Sequence, residues 1–300
     1  MCKHLKQDYS LSLQILCQNE IYMKKYPCVL SIAGSDCSGG AGIQADLKPI
    51  PALGGYAAPA ITAITVQNTL GVRAIHPVPP VYVRGQIEAV MEDIRPDAVK
   101  IGMVNDAATL DAIINALTDC RPHFLVVDPV MVSSSGKMLM SSDALILLEK
   151  KLLPMTDLLT PNIPETLVLT GMPSVSANDV EAAARAILDY GTRSVLIKGG
   201  HASGCVKTDV LFSILDGNIS LNEYSAPSVA SRNTHGTGCT LSSAIAAFVA
   251  RGDSLVEAVG EAKRYLTSAL AAGADITIGD GTGPLNHFFS PVPAIVIDKE

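Results

Sequence analysis

No tryptophan occurs among the 300 residues, and aromatic residues make up only 4% of a chain that is 48% hydrophobic. The core must then be built from Ala, Val, Ile and Leu, the usual filling of sheets covered by helices on both faces, so an α/β class is expected. An excess of positive charge is missing too. The formal net charge of −7 argues against nucleic acid or an anionic membrane surface as partner, since both need clustered Lys and Arg; a phosphate site has to be local. The seven cysteines, at positions 2, 17, 28, 37, 120, 205 and 239, contain no CxxC pair, which leaves no zinc or redox spacing. Odd in number and scattered, they read as reduced thiols in a cytoplasmic protein. The start also lacks an apolar run long enough for a signal peptide or membrane span. Met23 and two lysines stand directly before the first strand-like run, so residues 1–22 are expected to be a disordered extension or a mis-assigned start without a catalytic role.

What is present alternates. Apolar, β-branched runs at 28–34, 60–67, 97–104, 123–132, 157–162 and 194–200 read as buried strands. Segments with helical spacing at 81–95, 107–118, 141–153 and 178–191 lie between them. Strand–helix alternation predicts a doubly wound, mostly parallel central sheet with helices on both faces. At 209–224 two strand-like runs flank Asp216-Gly217-Asn218, a hairpin signal that predicts a small antiparallel edge. Nothing resembling a linker or a repeat divides 23–300, which is read as one domain. Ligands of such sheets bind at the carboxyl ends of the strands, where the polar and glycine clusters fall.

Four constellations bear on chemistry. AGSDCSGGAGIQAD (33–46) runs from a strand end through glycines into a helix. It is neither a Walker A loop nor GxGxxG, and a plain tight turn would look the same. HGTGCT (235–240) opens a helix whose Leu241, Ile245, Phe248 and Val249 share a face. The amides of Gly236, Thr237, Gly238 and Cys239 would project from its N-terminus toward an anion, although a glycine turn with an inert buried cysteine fits as well. Asp128 and Glu165 stand at or just past strand ends, where carboxylates hold Mg²⁺ or merely cap turns and helices, as Asn162 and Glu165 could at a helix start. Lys198, beside two glycines, is a phosphate ligand or a solvated lysine. Their convergence on one sheet edge is the parts list of phosphoryl transfer from a nucleotide.

With these residues in view the chain resembles the ribokinase-like kinases, and among them the hydroxymethylpyrimidine/phosphomethylpyrimidine kinases of thiamine biosynthesis. AGSDCSGGAGIQAD, ITAITVQNT, KIGM, DPVM, TPNIPE, IKGGH and NTHGTGCT stand in the family's order between about residues 28 and 289. The resemblance implies a ribokinase-like fold, ATP and Mg²⁺, a homodimer, and two phosphorylations of an aminopyrimidine, first at its hydroxymethyl group and then at the monophosphate. It implies that Asp46, Gln67 and Gly34 line the pyrimidine site with Met103 and Val130 nearby. Asp128, Asn162 and Glu165 would organise Mg²⁺ and phosphates, and Lys198 with the 236–239 amides (Thr237 and Gly238 among them) would hold the nucleotide. Cys239 would face the substrate hydroxyl, the helix N-terminus giving it a usable thiolate fraction at neutral pH. The loop of 34–42 looks like a flap.

Gln67 also makes sense from chemistry alone, because a carboxamide matches an amino donor beside a ring-nitrogen acceptor, an edge that pyridoxal lacks. A backbone-capping glutamine is the plainer alternative. Pyridoxal kinase and a non-catalytic pyrimidine-binding protein on the same fold are the competing functions; the second would have no use for triphosphate machinery. Two departures from the family's pattern touch no assigned position: Cys37 stands where proline or serine is common, and no acidic residue follows shortly after Pro164-Glu165.

Overall fold

The computed structural model describes residues 24–131, 138–200 and 204–298; the expectation for residues 1–22 lies outside them. Eleven strands are present among the described residues: β1 (Lys24–Lys25), β2 (Cys28–Asp36), β3 (Tyr56–Asn68), β4 (Gly71–Pro77), β5 (Ala98–Ile101), β6 (Leu125–Val127), β7 (Leu158–Leu159), β8 (Ser194–Ile197), β9 (Val206–Leu215), β10 (Asn218–Pro227) and β11 (Ile297–Asp298). Nine form one sheet in the order β10-β9-β8-β7-β6-β5-β2-β3-β4. From β8 to β3 every neighbouring pair is parallel. The chain winds outward from β2 to β3, then returns and winds the other way from β5, so the switch in direction falls between β2 and β5.

The expected hairpin at 209–224 is β9–β10, turned by Asp216 and Gly217, both at positive φ. A second antiparallel edge, β4 against β3, was not anticipated. All seven β4 residues are exposed, so the segment has no buried face to impose an alternating pattern. The run at 123–132 stops as a strand at Val127 because Pro129 cannot donate to a ladder.

The helices are α1 (Gly42–Asp46), α2 (Pro49–Ala52), α3 (Pro80–Asp93), α4 (Ala107–Asp119), α5 (Ser142–Leu147), α6 (Ile163–Thr170), α7 (Val180–Leu188), α8 (Thr237–Ala250) and α9 (Leu255–Gly273). The single helix expected over 141–153 is instead α5 followed by a π-helical turn, Leu148–Leu152, and a 3-10 turn, Leu153–Met155. Proline at 154 lacks the N–H that a continued α-helix would use.

Alternation along the buried strands sorts the core into two layers. Leu30, Val99 and Val127 pack with Val83, Ile87, Ile113 and Ile187 of α3, α4 and α7, while their neighbours Val29, Ala98 and Val126 pack with Ile245, Phe248 and Val259 of α8 and α9. Each large apolar side chain so enclosed contributes about 1.5–3 kcal/mol. The layers hold the parallel strands side by side, and their carboxyl ends present Asp36, Gln67, Met103, Asp128, Asn162 and Lys198 along one rim.

Candidate active site

The turn before α8 depends on one backbone conformation. Gly236, its N-cap, has φ 88°, which side chains with a Cβ rarely adopt. A Cβ there would also overlap the carbonyl oxygen of Gly40. The glycine-rich loop and the 235–239 turn therefore lie backbone against backbone. Thr237 and Thr240 donate their amides to Thr234 O at 3.3 Å and Gly236 O at 2.8 Å, while the amides of Gly238 and Cys239 find no acceptor among the described residues. Unpaired N–H groups at a helix start are suited to an anion.

A cation and two acids adjoin that turn. A Cβ at Gly238 would lie 3.2 Å from Asp128 Oδ2 and 3.4 Å from Lys198 Nζ. Lys198 donates to Asp128 Oδ1 at 2.7 Å, as Thr160 Oγ1 does at 3.1 Å. Burial would raise the Asp128 carboxyl, but Lys198 and then Lys100 outweigh it and hold it below the usual carboxylate range. Glu165 is shifted the other way: burial, with Asp128 adding to it against Lys198, pushes it up to about 7. Among the described residues no three His, Cys, Asp or Glu side chains cluster to hold a metal. Two buried carboxylates that repel each other nevertheless suit Mg²⁺, which keeps most of its waters and needs one or two protein oxygens.

Asn162 takes up the helix-cap role that its spacing offered. Its Oδ1 accepts from Glu165 N at 2.9 Å while Glu165 Oε2 accepts from Asn162 N at 2.8 Å, closing the capping box of α6. Its oxygen thus holds Glu165 in place.

On the other side of the rim, Gly34 and Met103 are in contact: a Cβ on Gly34 would come within 2.9 Å of the Met103 methyl. Val130 follows Asp128 by two residues and is partly exposed. Asp46 requires a correction. It is fully buried and its oxygens are taken by Lys100 at 2.8 and 2.9 Å, Ser31 at 2.6 Å and Ser243 at 2.8 Å. It anchors the sheet to α8 and does not reach an open site. Lys100, equally buried, went unnoticed in the sequence because a lysine between apolar residues of a strand looks like an interruption rather than an anchor.

Cys239 requires another. Burial pushes its thiol up to about 11, with Asp46 and Asp128 adding to the effect and Lys100 and an N–H from Gly42 opposing it. That upward shift runs against what a helix N-terminus alone would give and favours the neutral thiol over the thiolate at a partly exposed side chain.

The 34–42 loop is held by several hydrogen bonds. Asp36 accepts from Ser38 N and Oγ, Gly40 N and Ala41 N, and from His235 Nε2 at 2.9 Å. Cys37 Sγ donates to Gln67 O at 3.0 Å and accepts from Gln67 N at 3.3 Å. Neither Asp36 nor His235 was singled out in the sequence, because only the fold brings positions 36, 67 and 235 together. Burial would raise the Asp36 carboxyl, but the bonds from His235, Ser38 and Ala41 prevail and hold it well below the usual range. A carboxyl lowered in the folded state contributes stability above its unfolded pKa and loses it as pH falls through the folded value. Melting temperatures should therefore fall below about pH 4, and Asp36→Asn should be less stable at pH 7 and lose part of that acid slope. A mutant with an unchanged acid profile would show that Asp36 does not drive it.

A shallow cavity of about 300 Å³ between Met91, Arg95, Cys120 and His123 lies at the amino ends of β5 and β6, away from all of these groups. The sheet order, the paired layers of helices and a charged rim closed by the helix-start turn make this a ribokinase-like kinase fold. The family model described as phosphomethylpyrimidine kinase matches residues 36–286, and the chain belongs to that family. It is 46% identical over 262 residues to the thiamine biosynthesis bifunctional protein of Geobacter sulfurreducens, with 87% of this chain aligned to 52% of that protein, so it spans about half of that relative. It is 48% identical over 261 residues to the hydroxymethylpyrimidine/phosphomethylpyrimidine kinase of Rhizobium meliloti, covering 86% of this chain and 96% of the relative. Among solved structures, the phosphomethylpyrimidine kinase of Clostridium difficile superposes with TM-score 0.71 at 43% identity, over 81% of this chain and 99% of the other. An ADP complex of Bacillus subtilis pyridoxal kinase superposes with TM-score 0.80 at 30% identity, over 88% and 98%.

Proposed function

We propose that this chain transfers a phosphoryl group from ATP to the hydroxymethyl group of 4-amino-5-hydroxymethyl-2-methylpyrimidine and then to the resulting monophosphate, in thiamine diphosphate synthesis. The observation that carries this reading is that one turn joins both halves of the chemistry. His235 lies 3.0 Å from the Gln67 amide, and three residues on, Gly238 lies against Lys198 and Asp128. Gln67 supplies the acceptor and donor that match the aminopyrimidine edge. Lys198 and the Gly238 and Cys239 amides hold the transferring phosphates, and Gly34, Met103 and Val130 wall the ring. Asp128 and Glu165 would hold Mg²⁺, which when bound neutralises phosphate charge. Incubation with ATP, Mg²⁺ and the pyrimidine alcohol should yield mono- and diphosphate by mass spectrometry; no product would overturn the reading. The TM-score of 0.80 to a pyridoxal kinase favours pyridoxal as the second candidate, and phosphorylation of pyridoxal in preference to the pyrimidine would select it.

The neutral Cys239 thiol suits a site that accepts an alcohol first and a phosphomonoester second. Phosphoryl transfer demands little deprotonation of the nucleophile early on, and the second acceptor is already ionised near neutrality. A fixed negative charge would instead repel that acceptor. Cys239→Asp should slow the second step at least about tenfold more than the first, and Cys239→Ala should slow the first more than the second. Single-turnover rates with each acceptor decide; equal effects on both steps would remove the thiol from this role.

Residues 23–300 work as one kinase domain in the cytoplasm, as a homodimer, in this reading. Ile64, Val66, Leu70 and Val72 of the β3–β4 hairpin are each more than half exposed, an apolar edge that a second copy would cover. Sedimentation should give twice the 31.4 kDa chain mass; a monomer at micromolar concentration would exclude the dimer.

A further inference from the structure

The hydrogen-bond pattern around His235 contains more information than its distances. Its Nε2 faces two groups at once, Asp36 Oδ2 at 2.9 Å and Gln67 Nε2 at 3.0 Å. The other end of the amide, Gln67 Oε1, is 3.3 Å from Thr65 Oγ1, whose hydroxyl also donates to Ser35 O at 3.0 Å. In that arrangement Thr65 has one hydrogen for two acceptors. A half-turn of the amide exchanges its ends without moving any heavy-atom position, so the donors and acceptors must decide between the two orientations.

They decide in one direction. Asp36 accepts from every neighbour it has: Ser38 N at 2.8 Å, Ser38 Oγ at 2.7 Å, Gly40 N at 3.2 Å and Ala41 N at 2.8 Å. A carboxylate so surrounded offers only lone pairs, so His235 Nε2 must bear a hydrogen, whether the ring is neutral or charged. A ring nitrogen that bears hydrogen has no lone pair left for an amide N–H. The amide end beside it must then be the carbonyl oxygen, sharing the Nε2 hydrogen with Asp36. The amide nitrogen turns to Thr65 Oγ1, which accepts from it and gives its own hydrogen to Ser35 O. Every group is satisfied in this orientation and not in the other. Each amide end keeps one free valence, a lone pair on the His235 side and an N–H on the Thr65 side.

We infer that His235 is a positioning residue: by fixing which way the Gln67 amide faces, it fixes which way round the pyrimidine ring is bound. The inference rests on the substrate reading above and deepens it. An amino group must meet the carbonyl end and the ring nitrogen the N–H end, which puts the amino group on the His235 side. In this pyrimidine the hydroxymethyl group is attached to the carbon next to the amino-bearing one, on the side away from that ring nitrogen. The reacting hydroxyl is thereby directed past His235 toward the 236–239 turn, where Gly238 adjoins Lys198 and Asp128. The opposite amide orientation would direct it toward Thr65, away from the phosphates. The ring of His235 lies over Gly40, where a Cβ would overlap ring Cδ2, and its backbone N donates to Gly283 O at 3.1 Å, so the ring abuts the loop while the main chain is tied to Gly283.

Two measurements test this. In the unaltered protein at neutral pH, nitrogen-15 spectra of the His235 ring should show a hydrogen on Nε2; a ring protonated on Nδ1 alone would overturn the inference with no variant needed. Steady-state kinetics and calorimetry then compare His235→Leu, His235→Gln and Gln67→Leu. His235→Leu should lower kcat/KM for the pyrimidine alcohol about tenfold, the loss expected of one hydrogen bond. The KM for ATP should stay within about twofold of its original value. His235→Gln, whose amide N–H groups can serve Asp36 and the Gln67 carbonyl, should restore part of the loss. In a Gln67→Leu background His235→Leu should have no further effect. A residue that merely holds the loop would give additive losses, would raise the ATP KM as well, and would not be rescued by glutamine; each of those results overturns the proposal. If the unaltered protein binds pyridoxal and not the aminopyrimidine, the substrate reading fails, while the Nε2 hydrogen and the double-mutant result still decide the His235–Gln67 link.

Discussion

Lys198→Ala should lower phosphoryl transfer about 100- to 1,000-fold, the loss typical of removing one preorganised charge from a developing transition state. Lys198 is the cation at the start of α8, bonded to Asp128 at 2.7 Å. On the proposed reading its removal deprives the phosphates of a ligand, and it leaves Asp128 and Glu165 with their repulsion uncompensated on that side. Pyrimidine affinity should survive, because Gln67 and Met103 belong to the β2–β3–β5 part of the rim and Lys198 to β8. Calorimetric titration of the pyrimidine without nucleotide checks this: a Kd within about threefold is expected, and a parallel loss of pyrimidine binding would mean the lysine serves the ring.

Lys100→Met should have the largest effect on stability. Lys100 and Asp46 are both completely buried and bonded at 2.8 Å, and removing one partner leaves the other as an unpaired charge in the core. That costs about 3–5 kcal/mol, or a fall in Tm of roughly 6–20 °C. Replacing the pair together, Lys100→Met with Asp46→Leu, should recover most of the loss, since an apolar pair has no charge to desolvate. Thermal denaturation of the three variants against the unaltered protein decides. If the single substitution costs less than about 1 kcal/mol, the pair is not the lock between β5, α1 and α8 that its burial implies. Lys100 thus serves the fold, whereas Lys198, at the rim, is the lysine proposed to serve the chemistry.

Both lysines lie at or near the end of a strand-like run, and the sequence distinguished them only through their neighbours. Gly199 and Gly200 after Lys198 marked a turn, whereas Lys100 looked like a flaw in an apolar strand. Asp46 was misjudged for a different reason. The resemblance alone had placed it at the pyrimidine site, and its partner Lys100, 54 positions away, shows it paired instead. Asn162 and Glu165 showed their helix-cap spacing openly, and the capping box formed as that spacing allows. What spacing could not convey was the burial and the neighbouring Asp128 that push Glu165 up.

The strand–helix alternation, the hairpin at Asp216-Gly217 and the glycine turns were legible because each depends on residues close together in the chain: side-chain periodicity, φ freedom and a proline's missing N–H act locally. From these the sequence by itself determined a doubly wound sheet with its polar residues gathered at the carboxyl ends of the strands. Only the tertiary structure decided the burial and the partners of those residues. Burial raised the Cys239 thiol against the pull of its helix N-terminus, closed Asp46 away behind Lys100, and packing brought Asp36, Gln67 and His235 within hydrogen-bond reach across as many as 199 positions. Charge state and hydrogen-bond direction depend on desolvation and on partners remote in sequence, and both exist only once the layers have packed.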